Sequence, residues 1–142
     1  MDHGEKLAQD GKISAAVAEF KQALAIDPRF KLNNLEGYAQ GLAALALVDQ
    51  GVKLTEKGKI DAALAQFQAA QALKPDLKIN VDQWNTLCQQ GIVSEQAPPV
   101  LAACKKAVAL EPNNWKYLRN SGIANALLGK NSLCYQWFIT VC

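Results

Sequence analysis

Apolar side chains along this chain recur at steps of three and four, and the same run of steps occurs three times. Ile13–Pro28, Ile60–Pro75 and Ala97–Pro112 align without a gap. Their shared columns hold Ala16, Ala63 and Val100, then Val17, Leu64 and Leu101, then Phe20, Phe67 and Cys104. Ala23, Ala70 and Ala107 follow, and Ile26, Leu73 and Leu110 come last. Such steps place residues on one stripe of an α-helix, so each copy predicts an amphipathic helix. The closing proline stops it, having no amide proton and clashing with the preceding turn. Gly11 and Gly58 precede the first two copies, where a tight turn from an earlier helix needs a residue without Cβ.

A second helical pattern lies upstream of each copy. It reads Leu47, Gln50, Gly51 and Leu54 before the second, and Trp84, Leu87, Cys88 and Gly91 before the third. After Pro112 it reads Leu118, Ser121, Gly122 and Asn125, followed by Gly129. A small residue beside the leucine column lets two helices approach closely. Each unit is therefore expected to be a helix, a short turn and a second helix.

These residues resemble the tetratricopeptide repeat, whose signature is Trp-x-x-Leu-Gly-x-x-Tyr followed by Ala, Phe, Ala and Pro at fixed offsets. Trp84-x-x-Leu87, Gly51, Gly122, the Ala and Phe columns and the three prolines carry the likeness over nearly the whole chain. The resemblance implies an all-α, right-handed solenoid of three to four helix–turn–helix units forming a single domain. The units fall at about residues 1–30, 34–77, 82–113 and 115–142, the end ones incomplete. The prolines stand 47 and 37 residues apart, against a family period of about 34. Three extra residues fit the loop Asp76 to Val81. Thirteen more fall between Arg29 and Leu47, where Leu35, Tyr38, Leu42, Leu45, Val48 and Val52 continue one stripe. This predicts a long helix from about Asn34 to Lys57, on the order of 36 Å, capped by Asn33 or Asn34. The alternative is a break at Gly41. Between Trp84 and Gly129 there is also a narrower likeness to C-terminal repeat segments of large bacterial signalling proteins, which share the cysteine pair.

Composition agrees with helices: Ala and Leu number 41, while Ile, Val and Thr number 18. A net charge of +2 argues against a nucleic-acid or membrane-surface protein. The charge is uneven, since residues 112–142 carry Lys116, Arg119 and Lys130 and no acid. No apolar run approaches membrane-spanning length. The polar start MDHGEKLAQDGK lacks a secretory layout, so a cytoplasmic protein is expected. Leu133 to Cys142 contains no charge, and Cys134, Phe138 and Val141 fall in the small, aromatic and small columns of a closing helix. That segment reads as a self-association surface, as a surface covered by further sequence, or as a stretch foreign to the natural protein, and the residues do not choose among the three.

Four cysteines raise metal or disulfide chemistry. There is no Cys-x-x-Cys and the one histidine is His3, so no metal site and no cofactor are expected. Cys88 and Cys104 fall on the inner faces of two paired helices. They read either as reduced core thiols, the favoured reading, or as a bridge if the compartment is oxidising. No nucleophile–base arrangement or phosphate-cradling loop is present, so an enzyme is not expected. Trp84 sits in a core column, whereas Trp115 begins the fourth unit as a candidate contact residue. Trp137 is the third tryptophan.

The resemblance places a concave groove along the first helix of each unit. It would show Asp49, Val52 and Glu56, then Asn85, Gln89 and Ile92, then Lys116, Arg119 and Ile123. Amides beside bases suit a peptide backbone and an acidic group. The carboxylate clamp of some family members is not reproduced, since Asp49 and Asp82 stand in its place. The expected function is a non-catalytic scaffold binding a protein or peptide, its partner-facing residues being Asp49, Val52, Asn85, Gln89, Ile92, Lys116, Arg119 and Ile123. The alternatives are a self-assembly module or a regulatory arm of a larger bacterial signalling protein with Cys88 and Cys104 as a thiol pair.

Overall fold

A computed structural model of the chain describes residues 2–27 and 34–132. Among these residues it holds seven helices: α1 (Asp2–Gln9), α2 (Ile13–Ile26), α3 (Leu35–Glu56), α4 (Ile60–Leu73), α5 (Val81–Val93), α6 (Ala97–Leu110) and α7 (Trp115–Ser132). The protein is all-α. Helices adjacent in sequence pack in pairs: α1 on α2, α5 on α6 and α6 on α7, with α5 also touching α7.

The three aligned stretches are α2, α4 and α6, each 14 residues long. Each stops two residues before its proline. Asp27 and Glu111 already have extended backbone, the conformation forced on a residue that precedes proline. The middle columns form core: Ala16, Phe20, Ala63, Phe67, Val100 and Cys104 are at most 1% exposed. The last column departs from expectation, with Ile26 and Leu110 exposed. For Ile26 the reason is length, since the 8 residues of α1 cannot flank all 14 of α2.

Three turns share one hydrogen-bond pattern. The amides of Lys12, Lys59 and Gln96 reach back to the carbonyls of Leu7, Leu54 and Gly91 at 2.8, 2.9 and 3.1 Å. Inside each, the amides of Gly11, Gly58 and Glu95 donate to Ala8, Thr55 and Ile92. This closure requires a left-handed residue, and Gly11 and Gly58 supply it at φ +77 and +69. Glu95 occupies the same place at φ 54 without glycine's freedom.

The long helix forms as expected. Helix α3 runs unbroken through Gly41 for 22 residues, and Asn34 caps it by accepting from the Gly37 amide at 2.8 Å. Its side chain Tyr38 lies edge-on to Phe20, ring centroids 5.3 Å apart, and donates its hydroxyl to Glu5 at 3.2 Å. The other expected cap, Asn33, lies outside the described residues, as do Cys134, Trp137, Phe138, Val141 and the proposed self-association segment 133–142.

Two helix pairs close at matching positions. A Cβ added to Gly4 would lie 2.7 Å from the Phe20 ring, so the missing side chain on α1 is the seat of the phenyl on α2. Gly51 and Phe67, both buried, stand at the same separation in sequence. In the next pair the positions are Cys88 and Cys104, separated by 16 residues and joined as a disulfide. The expectation of reduced core thiols is therefore corrected. The bridge occupies the place that glycine and phenylalanine fill elsewhere, within a Cα–Cα span of 4.9 Å. One turn along α5, Gly91 gives room to Val100, and a Cβ there would also lie 3.3 Å from Ile60.

The described residues group into two compact units: those up to Gly51 with Ala65–Lys78, and Val52–Leu64 with those from Ile79 onward. The division runs through α3 and α4. Among the described residues no helix is long and apolar enough to cross a membrane.

Relieving the left-handed strain at Glu95 should help. We expect Glu95→Gly to raise unfolding stability by about 1 kcal/mol, while Gly58→Ala lowers it. Both are read as shifts of the urea midpoint at constant slope.

Candidate functional site

The second unit carries most of the residues that the sequence assigned to partner contact. Its first complete helix, α5, is fixed at the start by Asn80, whose side chain accepts from the Asp82 amide at 2.9 Å. Gln83 reaches back to accept from the Asn80 amide at 3.2 Å. Two of the free donors at the helix start are thus satisfied reciprocally. Helix α7 starts similarly: the Asn114 side chain accepts from the Lys116 amide at 3.1 Å and donates to Glu111 at 2.9 Å. This makes Trp115 the first helical residue, with its side chain exposed.

One stripe of α7 faces α5. The Tyr117 hydroxyl donates to Asp82 at 3.2 Å, and the Asn120 side-chain amide donates to the Asn85 carbonyl oxygen at 2.9 Å. Asn120 is 3% exposed and Ala124 is fully buried. A buried amide left without a partner costs about 1–3 kcal/mol, so the asparagine pair fixes which residue of α7 meets which residue of α5. Burial raises the Tyr117 phenol above its ordinary range, and the charges of Glu111 and Asp82 add to this. In the first unit, burial and the Glu5 carboxylate raise Tyr38 likewise.

The opposite stripe of α7 is open. Trp115 is 63% and Ile123 41% exposed, with Arg119 exposed between them. The Arg119 guanidinium lies over the Trp115 ring, 5.3 Å from its centroid. Among the described residues neither Arg119 nor Lys116 has a carboxylate in ion-pair contact.

Seven of the eight expected contact residues, Val52, Asn85, Gln89, Ile92, Lys116, Arg119 and Ile123, belong to this unit; Asp49 belongs to the other. Gln89, Lys116, Arg119 and Ile123 are exposed, and Val52 and Ile92 are half-buried. Asn85 differs from expectation, because its carbonyl oxygen is already engaged by Asn120. Asn120 went unnoticed in the sequence. Its signal is the step Tyr117, Asn120, Ala124, which is helical spacing on one face.

Trp84 is buried in the core, with the Lys106 ammonium 6.0 Å from its ring centroid. Cys88 and Cys104, in the α5–α6 pair, are fully enclosed. Against known protein families, curated proteins and solved structures, the chain finds no match.

Two measurements check this account. Reducing the Cys88–Cys104 bridge should lower stability by about 3 kcal/mol, the usual value for so short a closed loop. Cys88→Gly with Cys104→Phe, which installs the residues of the Gly4–Phe20 lock, should make stability insensitive to reductant. Raised phenol values mean that the folded chain holds these protons more tightly than the unfolded one. The contribution of these two tyrosines to stability should therefore be fully present below about pH 10 and fall as pH climbs further. Tyr38→Phe with Tyr117→Phe should flatten that alkaline fall in a denaturation series.

Proposed function

We propose that the chain is a non-catalytic interaction scaffold of tetratricopeptide-like, right-handed architecture, which binds a peptide or protein along α5 and α7. One observation carries this reading. Helices α5 and α7 are fixed to each other through Tyr117–Asp82 and Asn120–Asn85, while Gln89, Lys116, Arg119 and Ile123 stay exposed. Side chains held by a rigid backbone lose little further freedom on binding, which favours recognition. Half-buried Ile92 and Val52 add apolar area beside the polar groups.

A second reading is self-association, or service as a repeat arm in a larger bacterial signalling protein. It draws on Leu118 and Gly122, which occupy on α7 the columns that Trp84 and Cys88 bury on α5. Leu118 is 48% exposed, and a Cβ on Gly122 would meet nothing within 4 Å. Light scattering separates the two, since a monomer at all concentrations favours the groove.

The bridge bears on the setting. A cytoplasmic protein, as expected from the sequence, would hold Cys88 and Cys104 as thiols, because reducing compartments do not sustain such pairs. The bridged form fits an oxidising compartment.

A displayed peptide library panned against the purified chain should return binders. Their affinity should fall about tenfold, equivalent to 1.4 kcal/mol, in Gln89→Ala with Ile123→Asp. Failure to select any binder, or binders indifferent to these changes, would overturn the groove.

A further inference from the structure

The open stripe of α7 reads as a recognition element with a definite register. Trp115, Arg119 and Ile123 are spaced four residues apart, so about 6 Å separates each from the next along the helix axis. An extended chain covers that distance in about two residues. The outer members offer apolar surface, and the middle one offers a guanidinium whose donors suit a carboxylate.

The stacking of Arg119 on Trp115 bears on affinity. A guanidinium resting on an aromatic face is held in place and partly stripped of water, so a ligand need not order it. Field adds to geometry: Lys116 stands three residues before Arg119, and the carboxylates that meet this end of α7, Glu111 and Asp82, are engaged by Asn114 and Tyr117. On the inner side, Tyr117 and Asn120 are tied to α5, which keeps the stripe turned outward.

We propose that the partner presents an extended acidic segment of the pattern apolar–x–Asp/Glu–x–apolar. It runs along α7 with its carboxylate on Arg119 and its apolar side chains on Trp115 and Ile123. This rests on the groove reading and specifies its ligand class. It would fail alone if the library returned groove binders without such an acid.

The test uses the full oxidised chain and three capped synthetic peptides. One carries Leu-Ser-Asp-Ser-Leu, one replaces Asp with Asn, and one holds the same residues in the order Asp-Leu-Leu-Ser-Ser. By titration calorimetry at low salt, the first should bind at least about tenfold more tightly than the other two. Arg119→Gln should abolish the preference over the Asn peptide, and Trp115→Ser should weaken the first peptide while leaving circular dichroism unchanged. Equal binding of the Asp and Asn peptides would overturn the proposal. So would equal binding of the scrambled peptide, no binding by any of the three, or a preference that survives Arg119→Gln.

Discussion

Two helices approach closely only where one of them withdraws a side chain for the other to fill, and this constraint organises the chain. Gly4 makes the opening that Phe20 fills, and Gly51 and Phe67 recur with the same offset. Where the glycine is absent, at Cys88, the aromatic is absent too, and a covalent link takes the place of shape complementarity. The middle columns bury because this lock sets the spacing of the pair. The turn at its end follows as well, since each hairpin must reverse direction within the few residues left between the two helices.

Much of this was legible from spacing alone. The long α3, the three equal second helices and the glycine turns follow from step sizes of three and four and from residues with special backbone freedom. The third turn was hidden because Glu95 adopts a conformation its side chain disfavours, and only its offset from the other two turns marks it. The bridge was undecided for a different reason. Buried cysteines serve equally as small apolar groups or as a covalent pair, and the choice depends on distance, which a sequence does not encode. Ile26 misled because periodicity describes one helix and says nothing about how far its neighbour extends.

The candidate site was less legible than the fold. Exposed positions on α7 follow from helical phase, so Lys116, Arg119 and Ile123 were found. Asn85 was taken for a free amide because its partner Asn120 comes from another helix, 35 residues away. Trp115 gained weight only when the guanidinium of Arg119 was seen over its ring. Polar side chains acquire meaning from what they touch, whereas apolar ones acquire it from periodicity.

The Gly4–Phe20 lock and the Cys88–Cys104 bridge each close within a single hairpin, between positions sixteen residues apart in sequence. A growing polypeptide can therefore complete each one soon after its second helix is synthesised, without waiting for distant segments. Chains rich in such short-range closures fold quickly and expose their oily surfaces only briefly. Oxidation of Cys88 and Cys104 shares this economy, since a separation of 16 residues brings the two sulfurs together by proximity along the backbone.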